Sequence, residues 1–216
     1  MLLSHRHQFL FVNIAKTGSV CVRKALSSSR WGWKYGVTQL TVNKLSRLTG
    51  YKMGYSFLPQ STIADAQNVL PPDYFDNLYK FAFVRNPWDL QVSWFHQFKR
   101  EKPEFMEDYD SFKDFMKWKL NPKRNAQPLI DSSLQLQTDF LVDGEGRLRV
   151  DRVGKYENIQ NDFDGICEHL GLKKVVLPYK RKETNRKNYR DYYSDELAAQ
   201  VGAYFKRDIE MLGYEF

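Results

Sequence analysis

Cysteine is scarce in this chain: Cys21 and Cys167 are the only two in 216 residues. They make no disulfide framework and lack the paired spacing of a zinc site, so a reducing compartment, the cytoplasm, is expected. Long apolar runs are missing as well. None approaches the roughly 20 residues that span a bilayer, and the opening MLLSHRH has no basic-then-apolar leader pattern. A soluble chain with no membrane partner is the expectation. Repeats and low-complexity linkers are also lacking, which excludes solenoids and tethered arrays.

What is present suits one domain over residues 1–216, since a single core can grow to roughly 250 residues. Hydrophobic residues make up 42% and aromatics 15%, enough for a packed core. The net charge of +7 and isoelectric point near 9.2 favour anionic partners, although plain solubility explains a modest excess equally well. Its distribution is uneven: residues 173–190 hold eight Lys or Arg against Glu183 alone. That run is either a solvated basic face or a contact for a polyanion.

Residues 8–14 and 79–84 are nearly all apolar or aromatic, as strands buried on both faces must be. Each leads straight into a helix. After the first comes Ala15-Lys16-Thr17-Gly18-Ser19 and a helical stretch over 20–28. After the second, Asn86 can cap, Pro87 fits the first turn and Asp89 suits the positive end of the dipole, with the helix running to about residue 99. Shorter helices are expected at 41–48, 61–70 and 111–120, with a loop over 121–130. A hairpin is expected from 138–142 and 147–150 around Asp143-Gly144-Glu145-Gly146, and a strand at 153–156 precedes a helix ending near Leu170. A last helix from Ser194 carries Leu197, Val201, Phe205 and Ile209 on one stripe. Strands alternating with helices predict an α/β chain with a central parallel sheet, whose ligands bind at the C-terminal strand ends. Lys16 and Arg85 both fall at such ends.

A strand feeding a cationic turn at a helix N-terminus is the local architecture of a phosphate site. Lys16 precedes the glycine here, and the turn is too short for the glycine-rich arc of a nucleoside-triphosphate P-loop. A kinase is therefore disfavoured. Arg85 offers a planar fork matched to phosphate, and Ser93 lies about two helical turns further on. Two separate anion sites suggest a nucleotide with two separate phosphate positions. Pairing of Arg85 with Asp89, and burial of Ser93 as an ordinary helix hydroxyl, stay open as alternatives.

Residues 11–19, FVNIAKTGS, resemble the 5'-phosphosulfate loop of sulfotransferases, and residues 81–89, FAFVRNPWD, together with Ser93 resemble their 3'-phosphate motif. The similarity is to the carbohydrate-type branch, whose loop reads Pro-Lys-Thr-Gly-Gly-Thr-Ser. The stretches QTDFL (137–141), VGKYEN (153–158) and DIEMLGYEF (208–216) extend the resemblance over nearly the whole chain. It implies a three-layer α/β/α sulfotransferase fold and sulfuryl transfer from 3'-phosphoadenosine 5'-phosphosulfate (PAPS) to an acceptor hydroxyl or amine, without a metal. By analogy with phosphoryl transfer, Lys16 would neutralise the leaving oxygen. Gly18 and the N–H groups of Thr17, Gly18, Ser19, Val20 and Cys21 would cradle the 5'-phosphate. Arg85 and Ser93 would hold the 3'-phosphate.

Four positions depart from the pattern: Ala15 stands for proline, Ser19 for glycine, Val20 for threonine and Cys21 for serine. The lost hydroxyls at 20 and 21 each remove a charged-group hydrogen bond of about 1.5–3 kcal/mol. Relatives also commonly place a histidine base between the two motifs, where this chain reads GYSFL (54–58). The candidates left for that role are Tyr55, whose ordinary pKa near 10 makes it a poor base, Asp65 and His96. Tyr189, Tyr192 and Tyr193 could stack an adenine or a sugar, or simply pack, and the basic run Lys180-Arg181-Lys182 could touch the 3'-phosphate or an acidic acceptor. Expected partners are a small-molecule or glycan acceptor and no nucleic acid, since no RNA or helix-turn-helix motif accompanies the charge. A homo-oligomer stays open. The alternative function is a nucleotide-binding module of the same fold with weak or no catalysis.

Overall fold

The computed structural model describes residues 1–27, 48, 57–58, 60–109, 111–178 and 186–216. In chain order its elements are β1 (Leu2–Ser4), β2 (Phe9–Val12), α1 (Ser19–Ala25), α2 (Ile63–Val69), α3 (Pro72–Asn77), β3 (Tyr79–Val84), α4 (Pro87–Glu101), α5 (Pro103–Met106), α6 (Phe112–Lys119), α7 (Pro128–Ser132), β4 (Arg152–Lys155), α8 (Ile159–His169), α9 (Asp195–Tyr204) and α10 (Lys206–Leu212). They fall into two compact units, Met1–Val84 with Phe140–Lys180 and Arg85–Asp139 with Arg181–Phe216.

The first unit is the α/β part. Its sheet has the order β1-β2-β3-β4, with β2, β3 and β4 parallel. The strands alternate faces strictly. Phe9, Phe11, Phe81 and Phe83 share one face, where they form a core with Val22 and Leu26 near α1 and with Ile159, Phe163 and Ile166 of α8. On the opposite face Lys80 reaches α3: its ammonium lies 5.2 Å from the Phe75 ring centre and donates to the carbonyls of Phe75, Asp76 and Leu78. A buried cation thus satisfies the orphan carbonyls at a helix C-terminus, and helices cover both faces of the sheet. Gly154 of β4 fits because a Cβ there would stand 2.5 Å from the Phe83 ring.

The second unit is helical. Asn86 caps α4 as expected, accepting from the N–H groups of Trp88 and Asp89 with Pro87 in the first turn. Leu90, Val92, Trp94, Phe95 and Phe98 are buried over more than half the circumference of α4, so this helix is the spine of a largely aromatic core that includes Phe112, Phe115, Val201 and Phe205. Inside that core Lys119 is 1% exposed, and its ammonium donates to Gln91 Oε1 at 2.6 Å. Burial, and secondarily Arg124, pushes its pKa well below the usual lysine value.

The α/β class and the central parallel strands are as expected, and β1 adds an antiparallel strand on β2 through a turn in which Gln8 adopts φ 50° without a glycine signal. Other expectations need correction. The hairpin over 138–150 shrinks to a Val142–Leu148 bridge, and Thr138–Phe140 forms a 3₁₀ turn. Thr138 is committed elsewhere, its N–H and hydroxyl both donating to Asp208. The loop over 121–130 contains the start of α7, and the last helix breaks at Phe205 into α9 and α10. Of the helix expected at 41–48, residues 41–47 lie outside the described residues and Leu48 is helical.

Candidate functional site

β2 ends at Val12, and the chain turns at residues 15–18 before entering α1. Two residues in this turn are left-handed, Lys16 at φ 67° and Gly18 at φ 77°. Ser19, where the resemblance expects glycine, does not adopt a positive φ, and Lys16 is the non-glycine residue of this turn that does. A lysine there costs about 1–2 kcal/mol, and such strain persists only where the surroundings impose it. Gly18 is required twice over: by its φ, and because a Cβ would stand 2.3 Å from Ile159 Cδ1.

The hydroxyls that remain in the turn face inward. Thr17 Oγ1 donates to the Ile14 carbonyl at 3.1 Å and Ser19 Oγ to the same oxygen at 2.6 Å. No side chain caps α1, so the donors at this terminus are Lys16 and the main-chain N–H groups ahead of Cys21, whose own N–H donates to the Gly18 carbonyl at 2.9 Å. Val20 is 70% exposed, and Cys21 Sγ lies 2.9 Å from the Pro178 carbonyl.

In the second unit Arg85 is 5% exposed and gripped at both ends. Its N–H donates to Gln137 Oε1 and its carbonyl accepts from Gln137 Nε2, each at 2.8 Å, while its Nε donates to Asp89 Oδ2 at 2.6 Å. The pairing with Asp89 raised from the sequence is therefore real. Yet Asp89 also accepts from the guanidinium of Arg186, so one carboxylate serves two arginines and the trio keeps a net positive charge. The Nε of Arg186 is buried without a hydrogen-bond partner among the described residues. Ser93, two turns along α4, is 6% exposed.

Two of the candidate bases, Asp65 and His96, are among the described residues, each on its own element. Asp65 closes a capping box at α2, where its carboxylate accepts from the Thr62 N–H at 2.7 Å. His96 of α4 bonds the Tyr192 hydroxyl through Nε2 at 2.8 Å. Tyr55 and Lys180-Arg181-Lys182 lie outside the described residues. The three tyrosines pack within their own unit: Tyr193 donates to the Trp88 carbonyl at 2.9 Å, Tyr192 meets Phe112, and Tyr189 meets Phe216. Among the described residues no group of three or more His, Cys, Asp or Glu is placed to hold a metal, and no helix is long and apolar enough to cross a membrane.

A family model described as the sulfotransferase family matches residues 1–215. The chain belongs to the sulfotransferase family. No curated protein and no solved structure matches it. Sequence reasoning assigned no role to Arg186, Gln137 or Asp208. Arg186 sits in the basic run that had been noted, and the other two lie inside the family stretches QTDFL and DIEMLGYEF. Their pairing over long sequence distances left no local signal.

Proposed function

We propose that this sulfotransferase moves a sulfuryl group from PAPS to a hydroxyl or amine of a carbohydrate or other small-molecule acceptor. The acceptor oxygen or nitrogen attacks sulfur, the bond from sulfur to the 5'-phosphate oxygen breaks, adenosine 3',5'-bisphosphate leaves, and the acceptor's proton passes to a base. The observation that carries this reading is Lys16, a cation held in a strained left-handed turn of a sulfotransferase-family chain. Lys16 meets the charge that builds on the leaving oxygen. Main-chain N–H groups of residues 17–20 hold the 5'-phosphate, the Cys21 N–H being engaged by the Gly18 carbonyl, and Arg85 with Ser93 holds the 3'-phosphate. The base is one of Tyr55, Asp65 and His96, and its loss costs about 10²- to 10⁴-fold in rate. Residues 1–216 act as one domain in the cytoplasm, with no nucleic-acid or membrane partner.

The inward-turned hydroxyls of Thr17 and Ser19 and the exposed Val20 favour a second reading, a nucleotide-binding module with little catalysis. One experiment separates the two. Donor carrying radiolabelled sulfate is incubated with the full chain and a panel of sugars, phenols and amines, while calorimetry follows adenosine 3',5'-bisphosphate. Label on an acceptor is the expected result. Binding without any transfer establishes the module, and neither binding nor transfer overturns both readings.

A further inference from the structure

At Arg85 the chain has just left β3, and its main chain takes its two hydrogen bonds from a side chain instead of a strand. The Gln137 carboxamide accepts from the Arg85 N–H and donates to the Arg85 carbonyl, both at 2.8 Å, as the edge of a neighbouring strand would. Gln137 is fixed in turn. Its own N–H donates to Asp208 Oδ2 at 2.8 Å, and Thr138 donates to Oδ1 through its N–H at 2.9 Å and its hydroxyl at 2.7 Å. Gln137 is 1% exposed, and Thr138 and Asp208 are fully buried.

A buried carboxylate is retained only when its oxygens are fully engaged, and an apolar side chain often fills such a space at no loss of stability. Three donors converge on Asp208, and their effect is directional. They set the position of residue 137, and with it which way the Gln137 amide faces Arg85. At the far end of the same arginine, Asp89 holds Nε. A side chain fixed at its root and at its Nε has little rotamer freedom left to lose when an anion binds.

We propose that Asp208 is a positioning residue that acts through Gln137 to aim the Arg85 guanidinium at its anion. The proposal rests on the reading of Arg85 as a ligand of the donor's 3'-phosphate. Adenosine 3',5'-bisphosphate and adenosine 5'-monophosphate differ only in that phosphate, so calorimetry with both on the intact chain isolates it. The unaltered chain prefers the bisphosphate, and Arg85→Ala reduces the preference about tenfold to a hundredfold. Asp208→Asn puts an NH₂ against one of the N–H donors and lowers bisphosphate affinity about tenfold, with monophosphate affinity unchanged. Thr138→Val removes only the hydroxyl bond and gives a loss of about twofold to threefold in the same direction. It decides the question if Asp208→Asn does not fold.

If the unaltered chain shows no preference, or Arg85→Ala keeps it, the reading of Arg85 is wrong. If those two behave as stated but Asp208→Asn and Thr138→Val keep the full preference, or weaken both nucleotides equally while lowering the melting temperature, Asp208 is a structural residue and the proposal is overturned.

Discussion

The turn at Lys16 and the helix entrance at Arg85 bring cations to two strand ends by opposite means. The first relies on the main chain: a left-handed lysine, a left-handed glycine and an uncapped helix terminus, with its hydroxyls spent on the Ile14 carbonyl. The second relies on side chains, with Gln137, Asp89 and Asn86 each holding one part of the entrance. Main-chain N–H groups survive substitution of the residues that carry them. The Lys16 turn therefore presents its donors whatever side chains stand at 20 and 21, whereas the hold on Arg85 depends on the identity of Gln137 and Asp89.

The sharpest way to break this comparison is to remove each cation. Lys16→Ala should lower the rate of sulfuryl transfer about 10²- to 10³-fold in single-turnover measurements, because it removes charge stabilisation at the leaving oxygen. Its effect on adenosine 3',5'-bisphosphate affinity should be small. Arg85→Ala should do the reverse, weakening bisphosphate binding about tenfold to a hundredfold, the size of a lost charged hydrogen bond. If both variants lose affinity equally and neither loses rate, the division of labour is wrong.

Lys119, a cation with no acidic partner among the described residues, sharpens the contrast from another side. Lys119 is buried against Gln91 of α4, and its folded pKa lies well below the usual 10.5. Over the interval between those two values the unfolded chain binds the extra proton. Stability therefore rises with pH through that interval and is lost as pH falls through the folded pKa, with a slope of at most about 1.4 kcal/mol per pH unit. Lys119→Met should flatten this part of the profile relative to the unaltered chain in denaturant titrations between pH 7 and 9. Parallel profiles would show that Lys119 keeps its ordinary pKa.

The smallest effect belongs to restoring the missing hydroxyls. Val20→Thr with Cys21→Ser should tighten bisphosphate binding by roughly twofold to fivefold, less than a buried charged bond would give, because residue 20 is open to water. A gain of a hundredfold would mean that the main-chain donors contribute little.

Local signals carried much of the fold. The strand at Tyr79–Val84 and the Asn86-Pro87 helix start were legible because apolar runs and capping residues act over a few positions. The alternation of Phe9, Phe11, Phe81 and Phe83 onto one face follows from strand geometry alone. β1 was not legible, since Leu2–Ser4 is three residues long and its return turn uses Gln8 at positive φ. The hairpin at 138–150 carried a true turn signal, yet Thr138 is held by Asp208, a partner no window around it contains. The candidate residues divide in the same way. Lys16, Gly18 and Arg85 stand in local motifs, whereas Arg186 and Asp208 meet partners that only folding supplies.

Lys16 occupies a backbone conformation that glycine adopts without cost. A search for hardier variants, scored on melting temperature alone, would therefore favour Lys16→Gly, with a gain of about 1 kcal/mol. The same exchange deletes the cation proposed to receive the departing charge. At this one residue durability and turnover pull in opposite directions, and a screen that rewards only the first would select silent proteins.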